Sequence, residues 1–241
     1  MNIIDIERTL EVSPSIDERA VDHHAERAVG NVKPEPDLEH MALSGAMKAA
    51  REEAHALANL AHAVFADKTQ APAVAALQVA QAAQKVGARV AAKLDAAHAK
   101  VSATIAGIEK ATFAPAVESK FEIEIRAALK AMTQAKRTKE LAARFDANDM
   151  TTLAAVLSAP SLLTGMTAAE LDALRHRYRE KHFPTEMKRL DRLVKMRAAA
   201  ETGGKAFLAL VQKASDTKFA DGAIAARTKR ESALAAHQQG A

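Results

Sequence analysis

Two short patterns hold the residue types best suited to chemistry. Glu52-Glu53-Ala54-His55 sets a carboxylate three positions before a histidine, and Asp95-Ala96-Ala97-His98 repeats the spacing. On a helix these positions share a face, and carboxylate-bridged di-metal bundles draw a Glu-x-x-His from each of two helices. The elements that must position the residues test the idea. If the flanking helices form a hairpin turning near residue 70, His55 faces about residue 85, and His98 lies about 13 residues, or roughly 20 Å, further along the axis. The halves then share no ion. We read Glu52, His55, Asp95 and His98 as surface positions and expect no metal and no cofactor.

His23-His24 beside Asp22 and Glu26 is a second possible ligand set, without the helical His-Glu-x-x-His frame of a zinc site. The chain has 0 cysteines, which excludes disulfides, thiolate metal sites and cysteine nucleophiles. It has no phosphate-binding Gly-x-x-x-x-Gly-Lys-Ser/Thr loop, no Gly-x-Gly-x-x-Gly turn and no Gly-x-Ser-x-Gly elbow. No catalytic residue is expected.

A third constellation is cationic. Residues 175–197 hold Arg175, Arg177, Arg179, Lys181, Lys188, Arg189, Arg192, Lys195 and Arg197 against Glu180, Glu186 and Asp191. Such helices contact phosphates with steep salt dependence, although Tyr178 and Phe183 alone make a poor stacking platform. The competing reading is a basic outer face that pairs with an acidic partner or with the chain's own acidic segment.

That segment is the N-terminus. Residues 1–36 form an acidic arm, read as either partly disordered or docking. Asp5, Glu7, Glu11, Asp17, Glu18, Asp22, Glu26, Glu35, Asp37 and Glu39 face only Arg8, Arg19, Arg27 and Lys33, so residues 1–40 are about −6 within a net charge of +4. Pro14, Pro34, Pro36 and Gly30 oppose a continuous helix there, although residues 15–29 can form a few turns.

Composition sets the elements behind these groups. Of 241 residues 58 are alanine and 3% aromatic, so the 49% apolar fraction contains few large side chains. Alanine favours helix and buries little area. Long helices packed thinly follow, and the fold class is all-α: an elongated, coiled-coil-like hairpin with a second, smaller helical module. Acids at Asp5 and Glu7 oppose a signal peptide, and no apolar run approaches the ~18 residues of a membrane span.

The hairpin spans 37–114. After the N-cap Asp37, Leu43, Met47, Ala50, Ala54, Leu57, Ala61 and Val64 recur at spacings of 4 and 3. Its second helix begins at Pro72 and carries eleven-residue repeats: Val79, Ala83 and Val86; Val90, Leu94 and Ala97; Val101, Ile105 and Ile108. Leu43, Met47, Leu57, Val64, Val79, Val86, Val90, Leu94, Val101, Ile105 and Ile108 form the expected seam, completed by other subunits of a homo-oligomer.

The module spans 115–215. Ser119-Lys-Phe-Glu122 has capping-box spacing and opens a helix running to about Phe145, despite the strand-like alternation of Phe121, Ile123 and Ile125. Asn148-Asp149 caps 151–158, and Thr167-Ala-Ala-Glu170 is a second capping box, opening a helix to His182. Pro184 separates a further helix, which Gly203-Gly204 breaks or kinks. Residues 216–241 read as a polar tail.

Residues 153–190 include Ala159-Pro-Ser-Leu-Leu-Thr-Gly-Met-Thr167, then Leu174-Arg-x-Arg-Tyr178 in a capped helix. This segment resembles one in alanine-rich helical proteins encoded among tailed-bacteriophage structural genes. The resemblance covers about a sixth of the chain and implies a virion or assembly component, in the virion or host cytoplasm, among other structural proteins. Two alternatives stay open: a nucleic-acid-associated protein using residues 175–197, and an amphipathic coat for a lipid or polymer surface.

Overall fold

The computed structural model describes residues 10–26, 37–117, 120–218 and 221–239, and every element among them is a helix. In chain order these are α1 (Arg19–Asp22), α2 (Leu38–Ala66), α3 (Pro72–Ala111), α4 (Glu122–Ala131), α5 (Gln134–Asp146), α6 (Met150–Leu157), α7 (Ser161–Thr164), α8 (Ala168–His182), α9 (Pro184–Ser215) and α10 (Asp221–Gln239). None of the described helices is long and apolar enough to cross a membrane. The chain divides into two compact units: Met1–Val101 with Leu193–Ala241, and Ser102–Arg192.

Unit 1 contains the hairpin. The Asp37 carboxylate accepts from the backbone N–H groups of Glu39 and His40, which starts α2, and Pro72 occupies the first turn of α3. At 40 residues α3 runs about 60 Å. Antiparallel register is marked by Arg89 donating to Glu53 and, near the open end, by Lys100 Nζ donating to the Leu38 carbonyl at 3.4 Å.

The expected seam is buried within this single chain. Leu43, Met47, Leu57, Val79, Val90, Leu94, Val101 and Ile105 are buried, whereas Val64, Val86 and Ile108 are half-buried. In unit 1 the second half of α9 adds Leu193, Met196, Ala200, Phe207, Leu210 and Ala214 to the same core. Residues 193–215 group with residues 37–101 of the hairpin, and residues 102–114 with 115–192. Each fully buried Leu or Met contributes about 1.5–3 kcal/mol relative to exposure.

Gly203-Gly204 lies inside the continuous helix α9 and breaks nothing. These residues permit close approach: a Cβ at Gly203 would lie 2.2 Å from Met47 Cε and 2.7 Å from the Ser15 carbonyl oxygen. Gly87 does the same on α3, where a Cβ would lie 2.8 Å from Val211 Cγ1.

The described part of the acidic arm, residues 10–26, docks on unit 1 itself. Leu10, Ile16 and Val21 are buried, α1 packs on α2, Glu18 pairs with Arg51 at 2.7 Å and Asp22 with His40 at 2.8 Å. The remainder of the arm, with Asp5, Glu7, Arg8, Arg27, Gly30, Lys33, Pro34, Glu35 and Pro36, lies outside the described residues. The expected polar tail contains α10. Its alanines and the i,i+4 pair Arg227–Glu231 favour helix without requiring a buried face.

Unit 2 is built around α6, where Leu153, Ala154, Ala155, Val156 and Leu157 are all buried. Asp149 accepts from the Thr152 N–H to start it. Around it gather Leu129, Leu141, Phe145, Leu171 and Tyr178, from α4, α5 and α8. The helix expected to run to Phe145 is in fact two, separated where Met132 and Thr133 turn extended (ψ 150° and 154°). Twelve residues of unbroken helix would rotate Leu141 about 120° from Leu129, and the break lets both enter one core. Ser119, the expected cap, lies outside the described residues, and Phe121 occupies the N-cap of α4. The Thr167–Glu170 capping box is present, with both reciprocal bonds. Gly165 ends α7 at φ +69°, a left-handed position that suits glycine.

Candidate functional site

The hairpin keeps the two Asp/Glu-x-x-His patterns apart. Glu53 sits opposite Arg89, so the residue facing His55 is near 87, not 98. Glu52, His55 and Asp95 are exposed, and His98 Nδ1 lies 4.0 Å from Glu201 Oε1 on α9. His23 and His24 stack edge to face at 5.2 Å, while Asp22 turns to His40. Among the described residues, no three His, Asp or Glu side chains gather as a metal site would require.

On α8 the cations of the cluster are engaged by the chain's own carbonyls and rings, although Arg177 and Lys181 are exposed. The Arg175 guanidinium donates from Nε and Nη2 to the Leu157 carbonyl, at 3.1 and 2.9 Å, and from Nη2 to Ala159 at 3.3 Å. It also lies 4.2 Å over the Phe113 ring. Arg179 Nη2 donates to the Glu109 carbonyl near the end of α3, and Lys181 Nζ to the Phe145 carbonyl near the end of α5. Arg177 covers the Phe145 ring at 4.4 Å and pairs with Asp146. Carbonyls in the last turn of a helix carry partial negative charge and lack intrahelical donors. Three of these α8 side chains therefore satisfy helix ends at α6, α3 and α5. The remaining cations, Lys188, Arg189, Arg192, Lys195 and Arg197, lie on α9, where Arg197 approaches Glu201 at 3.8 Å.

The chain matches no protein-family model, no curated protein and no solved structure.

Two features of unit 2 were not singled out as sites from the sequence. The first is an exposed apolar region. Phe121 and Ile123, at the start of α4, are 64% and 78% exposed, and Leu162 and Leu163 on α7 are 76% and 46% exposed. The two helices pack together, so these side chains belong to neighbouring elements. The sequence signal was present: Phe121-Glu-Ile123 alternates without filling a helix face, and Leu162-Leu163 falls in a single turn too short to bury both.

The second is a groove of about 290 Å³ between α5 and α8. Gln134 Nε2 donates to Glu170 Oε1 at 2.7 Å at one end, and Arg177 approaches Asp146 at 3.5 Å at the other, so the helices run parallel. Arg137, only 9% exposed, lines the first end. Its Nη1 donates to the Leu129 carbonyl at 3.3 Å, and no described carboxylate lies within 4.0 Å of it. The Glu170 carboxyl is held below its ordinary value by the Thr167 N–H, then by the Gln134 amide and the Thr167 hydroxyl, with the Arg137 charge adding to them. A clue lay in the first turn of α5, which carries Lys136 and no acid, the reverse of what the helix dipole favours.

Proposed function

We propose that this chain is a non-enzymatic helical structural or assembly protein that acts through protein–protein packing. The supporting observation is the set of large apolar side chains that Phe121, Ile123, Leu162 and Leu163 hold out to solvent. Large apolar side chains left exposed on neighbouring helices suit a place for a partner. Leu162 and Leu163 fall inside the segment resembling tailed-phage helical proteins, which makes a virion component, surrounded by copies of itself and other structural proteins, the context we favour.

The two alternatives have less support. A phosphate-binding role loses Arg175, Arg179 and Lys181 to helix-end carbonyls, and Arg177 to Phe145 and Asp146. A lipid-coating role needs an outward apolar stripe, but those of α2 and α3 are buried. Solution mass measured by light scattering tests the reading. Wild type assembles, and the pair Ile123→Ser with Leu162→Ser lowers the mass with helicity unchanged. A wild-type monomer at every concentration reached overturns it.

A further inference from the structure

We propose that the groove between α5 and α8 is a binding site for a small amphipathic monocarboxylate, with its acid group at Arg137 and its apolar portion over Leu141 and Leu174. The inference is independent of the assembly role.

The groove arises from how unit 2 packs. Helices α5 and α8 each send one face into the core over α6 (Leu141 and Phe145 from α5, Leu171 and Tyr178 from α8), and side-chain bridges join them at both ends. Between the bridges the space is floored by Leu141, Leu174 and Met166 and walled by Ala142 and Ala173. Its volume is near the lower end of the range for small-molecule sites, and its apolar walls with few polar groups are the usual composition.

Charge places the ligand's head. A guanidinium nine-tenths buried needs more than one carbonyl to offset its desolvation, yet among the described residues Arg137 donates only to the Leu129 carbonyl in the last turn of α4. Because α5 and α8 run parallel, both positive helix ends lie beside it, each equivalent to about half a charge. Glu170 subtracts one charge, with its oxygens held by Thr167 and Gln134. The end of α4, at the Leu129 carbonyl, subtracts about half a charge more, so the balance near Arg137 is about half a positive charge, which suits a monoanion better than a dianion. Guanidinium and carboxylate also match in planar geometry. At the far end Arg177 is paired with Asp146 and lies over Phe145, so Arg137 is the better seat for an acid group.

Calorimetric titration of the full chain with decanoate, with decanol as the chain-matched neutral control, tests the site. Decanoate binds saturably, and decanol about tenfold more weakly or less. Arg137→Gln lowers decanoate affinity by about tenfold and leaves decanol unchanged. Ala173→Phe, at an exposed position that leaves the core intact, fills the groove and abolishes binding of both. Should Arg137→Gln fail to fold, Arg137→Lys, which keeps the charge but loses the planar fork, takes its place with an intermediate loss. No decanoate binding up to about 1 mM, equal affinities for the two probes, or undiminished binding to Ala173→Phe each overturns the proposal.

Discussion

Met47 on α2 occupies the space a side chain would need at Gly203 on α9: a Cβ there would lie 2.2 Å from Met47 Cε and 2.7 Å from the Ser15 carbonyl oxygen. Met47 Cε is the end of a flexible side chain, but the Ser15 carbonyl is main chain and does not move aside cheaply. Gly203→Ala destabilises unit 1 by about 1–3 kcal/mol, as overpacking does. Gly45 on α2 has nothing within 4 Å of the same ideal position, and Gly45→Ala stabilises by about 0.5–1 kcal/mol through helix propensity. Urea unfolding of both variants gives the comparison, and equal effects would contradict the packing described.

The ring of His182 stands 4.8 Å from Tyr178 and 6.4 Å from Phe145, and its buried Nε2 has no hydrogen-bond partner among the described residues. Burial first, and the Lys181 charge second, hold its pKa below the ordinary 6.5. A depressed histidine pKa means that the unfolded chain takes up the proton first. The stabilisation is complete above about pH 6.5 and is lost as pH falls from there toward the folded value. Unit 2 therefore unfolds at lower urea at pH 5 than at pH 7.5, and His182→Phe reduces that difference. Asp149 and Glu170, whose carboxyls are lowered by N–H donors at helix starts, lose their contribution only in the more acidic range.

Arg175 makes three hydrogen bonds to the main-chain carbonyls of Leu157 and Ala159 and covers Phe113. Arg175→Gln leaves acceptors unsatisfied and lowers stability by about 1.5–3 kcal/mol. Lys188→Gln, on an exposed face, stays within about 0.5 kcal/mol. Similar losses for both, measured by thermal unfolding, would make the cluster a solvated surface.

Leu94 is 7% exposed on α3, and Gly204 of α9 lies beside it. Leu94→Asp buries a charge without a partner and destabilises unit 1 by more than about 3 kcal/mol. Since the seam is closed by the chain's own α9, the loss is the same over a roughly hundredfold range of protein concentration. A loss that disappears at high concentration would restore the intersubunit seam.

The helices were legible where a single residue decides the matter. Asp37, Pro72, Asp149 and the Thr167–Glu170 box each fix a backbone end by local chemistry, and each is found at the helix start it predicts. The apolar spacing likewise marked the buried faces of α2 and α3. What covers those faces was not legible, because a stripe records that a residue is hidden without recording by what. Gly203-Gly204 misled for the same reason: two glycines permit a break or a close approach, and only the position of Met47 distinguishes them. Arg175 reads as one cation of its cluster until the carbonyls of Leu157 and Ala159 are located, and nothing in the sequence marks Arg137 before that of Leu129 is.

The alanine content has a further consequence for the hairpin. Where Ala46, Ala50, Ala54 and Ala61 on α2 and Ala75, Ala76, Ala80, Ala83 and Ala97 on α3 fill the buried faces, side chains lose almost no rotamer freedom on folding. Yet one alanine is sterically the same as the next, so a helix sliding axially by a turn would meet much the same surface. The notches at Gly87 and Gly203, filled by Val211 and Met47, occur once each along their helices. They act as keys against translation, selecting one alignment from several that the alanines alone would leave nearly degenerate.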